Sequence, residues 1–337
     1  MKKKTNALVP AAAILVLLCA AYGLITWQQK KSGESSQRRE EEQIYMTDIE
    51  GISSHDREEK DGQGLSFEKE GDTWYYQTDR DCPIRQYTLS TLADTLSKLR
   101  AERRLDTPDS LASYGLDTPS VRFETRSKDG TARTILVGSQ VAGTGDTASG
   151  YASTAAEYYA CVEGSDQVYT IGNYLTDTAG KGLYDFVETE SLPYVTGADI
   201  REITVTKEGK TSHFLKKTID GEDNIAWYKD SADREENRLP DNAALNNLAQ
   251  AIGGLSIQSC TTYKATDEEL GSFGLSAPVM TLSWTYEKGE DSGTVTLAIG
   301  SPDDEGTGYY TRKDDSRAIN LISKEAAEKC LNAVFPE

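Results

Sequence analysis

Apolar residues recur at helical spacing in two places along the chain. They are Leu89, Leu92, Leu96 and Leu99 in the first place and Leu245, Leu248, Ile252 and Leu255 in the second. Residues three or four positions apart lie on one face of an α-helix. Each pattern therefore predicts a helix with one buried face.

Short runs of β-branched and aromatic residues surround each predicted helix. In the first half they are Leu65–Phe67, Thr73–Tyr76, Val121–Arg126, Ile135–Val137, Tyr158–Val162 and Val168–Ile171. Turn residues such as Lys128-Asp129-Gly130 separate neighbouring runs, which is typical of β-hairpins. Strands outnumber helices and their connections are short, so the pattern predicts an α+β fold with mainly antiparallel sheets and helices packed on one face.

One short turn occurs twice. Tyr114-Gly115-Leu116-Asp117-Thr118-Pro119 returns as Phe273-Gly274-Leu275-Ser276-Ala277-Pro278. The glycine suits a left-handed residue that ends a helical turn, and the proline suits the start of a strand. Because the leucine stripe and a tryptophan (Trp74, then Trp227) recur in the same order, we interpret the chain as a duplicated domain. The first copy is predicted over residues 45–190 and the second over 198–337.

The N-terminus carries an apolar run over residues 7–27, between lysines on both sides. About 20 apolar residues in a helix span a bilayer. We therefore predict a cytoplasmic N-terminus (1–6), a transmembrane helix (7–27) and a polar tether (28–44), with the remainder outside the cytoplasm. A cleaved signal peptide is the competing interpretation, since Cys19-Ala20-Ala21 offers small residues.

The net charge of the chain limits the classes of partner that it is expected to bind. The formal net charge is −19, although residues 1–31 hold five lysines and no acid. The acidic excess lies in the predicted ectodomain, which would repel phosphate backbones. We expect no nucleic-acid partner.

The cysteines leave two alternatives open. Cys82, Cys161, Cys260 and Cys330 lie outside the apolar run and could form two disulfides. They do not occupy matching places in the two copies, which favours free buried thiols. No CxxC pair occurs and the chain has two histidines, so a structural zinc site is not expected.

Two hairpin tips carry residues that suggest chemistry. Gly143-Thr144-Gly145 could suggest a phosphate cradle, but the next run reads as a strand and not as the helix that such a site needs. Asp303-Asp304-Glu305 at the matching tip lacks the alternating spacing of a calcium loop. We predict no metal and no cofactor site.

Catalytic groups are equally sparse in the sequence. His55 falls in a polar stretch that reads as a turn, and His213 falls in a strand; both are expected to be structural. A pair of carboxylates for glycoside hydrolysis stays open, because two acids at a suitable separation are enough. We assign no catalytic residue.

Tyrosine pairs are the most distinctive side chains. They are Tyr158-Tyr159 and Tyr309-Tyr310, at matching places in the two copies. In an alternating strand one ring of each pair faces outward. Tyr159 and Tyr310 are thus a candidate partner surface, and framework packing is the favoured alternative.

These features together resemble a known family. The Gly-Leu-x-x-Pro turn after a leucine-rich helix, the strands ending in Gly138-Ser139 and Gly300-Ser301, and the tyrosine pairs are similar to the bacterial domain of unknown function 4340 family, over residues 45–335 in two copies. The resemblance implies an envelope protein associated with ABC-type export systems of the gliding-accessory kind. It implies no catalytic residue.

The expected function is therefore non-catalytic. We expect a single-pass, membrane-anchored, extracytoplasmic accessory or scaffolding protein of an envelope assembly, with a membrane protein such as a transporter permease as its partner. The alternatives are a module that binds cell-wall glycan and a carboxylate-dependent hydrolase.

Overall fold

A computed structural model describes residues 43–59, 64–145, 155–219 and 225–335. The predicted transmembrane helix and almost all of the predicted tether lie outside these ranges. No helix within them is long and apolar enough to cross a membrane.

Within the described ranges the first copy contains ten strands, eight of which form one sheet. Its strands are β1 (Ile44–Tyr45), β2 (Ile52–Glu59), β3 (Gly64–Glu70), β4 (Thr73–Tyr76), β5 (Arg100–Ala101), β6 (Arg103–Arg104), β7 (Val121–Ser127), β8 (Ala132–Gln140), β9 (Glu157–Val162) and β10 (Tyr169–Gly172); its helices are α1 (Gln86–Ser97) and α2 (Tyr174–Ala179). The sheet order is β4-β3-β2-β7-β8-β9-β10-β6, and β1 pairs separately with β5.

The second copy repeats this architecture. Its strands are β11 (Ile200–Lys207), β12 (Lys210–Thr218), β13 (Ile225–Lys229), β14 (Ile257–Thr262), β15 (Met280–Lys288), β16 (Asp291–Pro302), β17 (Gly308–Lys313) and β18 (Ile319–Ser323); its helices are α3 (Ala243–Gly253), α4 (Asp267–Ser272) and α5 (Lys324–Leu331). The order β13-β12-β11-β15-β16-β17-β18-β14 matches the first sheet strand by strand. The predicted duplication and the mainly antiparallel sheets are confirmed.

Both predicted leucine stripes are buried. In α1 and just after it, Leu89 and Leu96 are fully buried and Leu99 retains 5% of its accessible surface. In the second copy, Leu245, Leu248 and Ile252 belong to the main apolar cluster, together with the sheet residues Leu297 and Ile299. The helical period identified the buried face correctly in each case.

Helical segments lie on both faces of the second sheet. Leu297 and Ile299 contact the cluster that holds α3 and α5, whereas Ala298 between them belongs to a smaller cluster with Leu270 of α4. Successive side chains of a strand point to opposite faces. The prediction of helices on one face therefore holds for α3 and α5, and the short α4 packs on the other face.

A tryptophan ties each predicted helix to its hairpin. The Trp74 backbone N–H donates to Gln86 Oε1 (2.7 Å), and its indole Nε1–H donates to Ser90 Oγ (3.2 Å). In the second copy the Trp227 backbone N–H donates to Asn242 Oδ1 (3.0 Å), and its indole Nε1–H donates to Asn246 Oδ1 (2.9 Å).

Both rings are almost fully buried. Burial removes the indole N–H from water, and in both copies a side chain of the helix accepts its hydrogen bond instead.

The chain divides into two compact units. Among the described residues, one unit comprises those up to 66 together with 91–179, and the other comprises 67–90 together with those from 180 onward. Residues 67–90 of the first copy thus group with the second unit.

Candidate functional site

The repeated turn docks onto the end of a strand through glycines. In the first copy a 3-10 turn, Leu111–Tyr114, ends at Gly115 with φ 70°. A Cβ at Gly115 would lie 2.5 Å from Ser139 Oγ, and one at Gly138 would lie 2.2 Å from the Tyr114 carbonyl oxygen. The contact with a backbone oxygen excludes a side chain at Gly138, whereas a side chain at Gly115 would require the Ser139 hydroxyl to move and the backbone to keep its left-handed conformation.

The second copy builds the same contact. Gly274 has φ 72°, and a Cβ there would lie 2.5 Å from Ser301 Oγ; one at Gly300 would lie 2.3 Å from the Phe273 carbonyl oxygen. The Ser301 backbone N–H donates to that same carbonyl (2.9 Å). The turn motif and the Gly-Ser motif therefore form one structural feature.

The candidate tyrosines pack on these turns. Tyr159 lies 4.7 Å from Tyr114 between ring centroids, and Tyr310 lies 4.4 Å from Phe273, both with tilted rings. Both tyrosines are half-buried. In an edge-tilted pair at this distance, each ring covers part of the other.

The leucines of the two turns belong to the same apolar clusters as these aromatic rings. Leu116 and Leu275 are buried to within 2% and 3%, while Pro119 and Pro278 are half-buried. The predicted turn residues and the predicted tyrosines are thus brought together, a juxtaposition that the sequence did not indicate.

A cluster of polar side chains lies in the compact unit that contains residues 67–90. The Tyr263 hydroxyl donates to Asp79 Oδ2 (2.9 Å), and Lys264 Nζ lies 3.5 Å from Asp79 Oδ2 and 3.5 Å from Asp81 Oδ2. The hydrogen bond from Tyr263 holds the pKa of Asp79 below its usual range, with backbone and Lys264 contributions. Burial, then the bond to Asp79, raises the pKa of Tyr263.

A cavity of about 530 Å³ adjoins this cluster within the same unit. Its lining includes Tyr263 and Lys264, and also Glu190, Cys260 and Asn320. Asn320 is fully buried, and its Nδ2 donates to Glu190 Oε2 (2.7 Å). Among the described residues nothing donates to Asn320 Oδ1.

Backbone pairings bring the parts of this cluster together. The residues 83–85 run antiparallel to 186–188, with the Arg85 N–H donating to the Phe186 carbonyl (2.8 Å) and the Glu188 N–H donating to the Pro83 carbonyl (2.6 Å). Asn320 lies on β18, opposite Cys260 of β14. Sequence reasoning missed this site because its parts are far apart along the chain.

The comparison with protein families agrees with this architecture. The model of the family described as domain of unknown function (DUF4340) matches residues 74–261 and 231–335, two overlapping segments that together cover most of the chain. The chain belongs to this family. Searches among curated proteins and among solved structures found no match.

In this DUF4340 protein the carboxylate of Asp303, in the acidic hairpin tip, is hydrogen-bonded to other residues of the same tip. Asp303 accepts hydrogen bonds from the Thr307 N–H (2.7 Å), the Gly308 N–H (2.9 Å) and the Thr307 hydroxyl (2.7 Å). These bonds hold the pKa of Asp303 below its ordinary value. Within the described ranges, no three His, Cys, Asp or Glu side chains are grouped to hold a metal ion.

The glycine-rich tip is stabilised by hydrogen bonds among its own residues. Thr144 Oγ donates to the Val141 carbonyl (2.7 Å), and Gln140 Nε2 donates to the Thr144 carbonyl (2.6 Å). The next described element is strand β9, as expected for a hairpin and unlike a phosphate site, which needs a helix N-terminus.

The turn predicted at His55 was wrong. His55 lies within strand β2 and only 1% of its surface is accessible. Burial lowers its pKa to about 3, so the imidazole is neutral at physiological pH. His213 lies on β12 as predicted, with its Nε2 3.8 Å from Glu202 Oε2.

All four described cysteines are free and buried. Burial raises the pKa of Cys82, Cys161 and Cys260 to about 11 and that of Cys330 to about 12. The thiolate is the reactive form of cysteine, so these groups are inert at neutral pH. The expectation of free thiols agrees with the structure.

Another cavity lies between two helices of the second copy. It is an open groove of about 950 Å³ between α3 and α5, lined by small residues such as Ala244, Ala251 and Ala326 and by the amides of Asn247 and Asn332. None of the groups with a strongly shifted pKa lines it. Its volume alone therefore does not mark it as a reactive site.

Proposed function

We propose that this chain is a non-catalytic, membrane-anchored scaffolding protein that acts outside the cytoplasm as the accessory component of an envelope assembly, an ABC-type transport system. One observation carries the non-catalytic part. The described carboxyl groups with a shifted pKa are stabilised in the ionised form, which cannot act as a general acid.

The carboxylates illustrate this best. A general acid needs a raised carboxyl pKa, as in a glycoside hydrolase. Every described carboxyl group with a resolved shift has a lowered pKa instead, in each case mainly through hydrogen bonds: Asp79, Asp129, Glu163, Asp199, Glu269, Asp303 and Glu325. These acids support turns, caps and ion pairs, which favours a framework over a hydrolase.

The anchor and the charge support the envelope part of the proposal. The apolar run before the tether is long enough for a bilayer, and the acidic remainder would be repelled by nucleic acid and by anionic lipid. Both properties suit a protein that works beside a membrane through protein contacts.

Glycan binding through tyrosines receives less support. Tyr159 and Tyr310 are half-buried against the aromatic residues of the two turns, so a sugar could stack on only part of each ring. We keep it as an outcome of the test and not as a second proposal.

Photocrosslinking in intact cells tests the proposal. A benzophenone amino acid would replace Tyr87 or Tyr194, whose side chains are 84% and 89% exposed, in the full-length chain. Ultraviolet-dependent adducts with a transporter permease or ATPase are the expected result, and unirradiated cells are the control. Adducts with peptidoglycan or polysaccharide alone would favour the glycan module and overturn the scaffold.

A further inference from the structure

We propose that the second copy binds a small zwitterionic amino acid at Arg312, in a cavity beside the repeated turn. This inference concerns a ligand site and does not depend on the proposed scaffolding role. It starts from one row of side chains in which the two copies differ.

The row crosses three neighbouring strands of each sheet. Its members in the second copy, paired from strand to strand, are Thr281 of β15, Ala298 of β16 and Arg312 of β17. Its members in the first copy are Arg122 of β7, Leu136 of β8 and Cys161 of β9. The motifs place both rows alike, because the middle residue precedes the glycine of the Gly-Ser pair by two positions in each copy. Directly paired residues share one face of a sheet.

In the first copy every side chain of this row has a partner. Leu136 and Cys161 are buried in one apolar cluster with Leu116 of the turn. Arg122 Nη2 lies 2.7 Å from Glu163 Oε1. The space beside the first turn is therefore occupied by the protein itself.

In the second copy the matching place holds a cavity. Ala298 is smaller than the leucine of the first copy, and it lines a cavity of about 320 Å³. Leu275 and Pro278 of the turn line the same cavity, together with Thr281 and Arg312. This volume lies at the lower end of the range for small-molecule sites.

Arg312 is unpaired in this cavity. Among the described residues, no carboxylate lies within ion-pair distance of its guanidinium and no acceptor is hydrogen-bonded to it. Its Nε is buried, whereas its two Nη nitrogens keep contact with solvent, where a ligand can reach them. The planar guanidinium presents parallel donors that match the two oxygens of a carboxylate.

Thr281 supplies a further donor at the other end of the row. Its side chain is half-buried, and its hydroxyl makes no hydrogen bond within the part of the chain that the structure describes. Neighbouring strands lie about 4.8 Å apart, so the backbones at Thr281 and Arg312 are about 10 Å apart, with Ala298 between them. A carboxylate above Ala298 can accept hydrogen bonds from both side chains.

Two aspartates select a ligand that also carries a positive charge. Asp314 and Asp315 line the same cavity and are more exposed than Arg312. They would repel a simple anion. A ligand with an ammonium group beside its carboxylate meets Arg312 with one group and the aspartates with the other. An α-amino acid has this arrangement, and the volume of the cavity suits a short side chain.

Calorimetric titration of the full-length chain with L-alanine tests the assignment. Ethylammonium chloride, which lacks the carboxylate, and sodium propionate, which lacks the ammonium group, are the matched controls at constant ionic strength. Saturable binding of L-alanine is expected, with each control binding about tenfold or more weakly. No saturable binding of L-alanine, or equal binding of either control, would overturn the proposal.

Two variants locate the site. Arg312→Gln removes the guanidinium charge and should weaken L-alanine binding about tenfold or more, because charge-assisted hydrogen bonds are lost. Arg234→Gln removes an exposed arginine elsewhere in the second copy and should leave the affinity unaltered. Unaltered binding by Arg312→Gln would contradict the site.

Ala298→Leu gives the second copy the residue that the first copy has at this place. The matching Leu136 is accommodated in the first copy, so the fold should persist while the added volume abolishes L-alanine binding. Undiminished binding would show that the ligand lies elsewhere. If this variant does not fold, the comparison of Arg312→Gln with Arg234→Gln decides the question alone.

The double variant Asp314→Asn, Asp315→Asn tests the recognition of the ammonium group. Asparagine at 314 keeps an acceptor for the Thr296 N–H, which now donates to Asp314 Oδ1 (2.8 Å), and removes the charge. The double variant should bind L-alanine and propionate with similar affinities. An unchanged preference for L-alanine would refute the zwitterionic ligand.

Discussion

His55 shows how strongly tertiary surroundings can alter a single residue. Its neighbours in the sequence are polar or charged, yet it lies on the inner side of β2 with 1% of its surface accessible. Arg57, two positions on and on the same side of the strand, is also buried and donates from Nη1 to the Thr178 carbonyl (2.9 Å). The interior of the first copy thus contains polar groups that an alternating apolar pattern does not reveal.

Acid should destabilise the protein through His55. Its pKa is lowered from 6.5 to about 3 in the folded chain, so the unfolded chain binds one more proton between these values. The free energy of unfolding must therefore fall as the pH drops below 6.5, with a slope of about 1.4 kcal/mol per pH unit from this one proton. Above pH 6.5 both states are neutral and the contribution is constant.

Urea unfolding at a series of pH values measures this slope. His55→Gln should lower this slope by about 1.4 kcal/mol per pH unit relative to the unaltered chain, which corresponds to one proton. His213→Gln, on the surface side of β12, is the matched control and should retain the steeper slope. Equal slopes for His55→Gln and the unaltered chain would refute the assignment.

The turn of each copy and the strand that it contacts act as one element. The left-handed glycine permits the turn, and the Gly-Ser strand end permits its close approach. This explains why the two short motifs recur together in both copies although more than twenty residues separate them in the sequence.

Gly274→Ala should therefore be more damaging than an alanine at another left-handed glycine. Gly289 has φ 61° in the hairpin between β15 and β16, and a Cβ there would meet nothing within 4 Å. Its replacement by alanine should cost about 1–2 kcal/mol of backbone strain. Gly274→Ala also places a Cβ 2.9 Å from the Ser301 backbone nitrogen, and overpacking typically adds about 1–3 kcal/mol.

Chemical denaturation followed by tryptophan fluorescence compares the two variants. We expect the Gly274→Ala midpoint to lie clearly below the Gly289→Ala midpoint. Coinciding midpoints would mean that the turn can move away from the strand, and would contradict the tight docking.

At the scale of the whole molecule, no disulfide stabilises the fold among the described residues. Its four described thiols are free, and Cys82 lies close enough to Cys260 to contribute to the raised pKa of Cys260. Stability then comes from apolar burial against the two sheets and from repeated hydrogen-bonded connections such as those of Trp74 and Trp227.

The thiols should react only when the chain unfolds. In full-length protein carrying Cys19→Ser, a colorimetric disulfide reagent at neutral pH should label few thiols in the native state, because burial keeps each pKa at about 11 or 12. In denaturant without reductant, all four should be counted. A count of two or none would reveal disulfides and contradict the free thiols.

Local patterns identified most of the elements and none of the distant pairings. The stripe of Leu89 to Leu99 predicted α1, and the stripe of Leu245 to Leu255 predicted α3. Nothing in the pattern indicated that β6 would join β10, or β14 join β18, at the far edge of each sheet. Those strands are short and follow a helix, so the residues near them in sequence are not their partners in space.

The sequence by itself determined the periodic faces, the hairpins, the glycine turns, the duplication and the family, because each depends on spacing within a few residues or on comparison of one half with the other. Only the tertiary structure decided the burial of His55, the packing of Tyr159 and Tyr310 on the turns, and the pairings of Tyr263 with Asp79 and of Asn320 with Glu190. These depend on contacts between residues up to 184 positions apart. Such contacts are set by how whole strands and loops come together, for which local spacing carries no information.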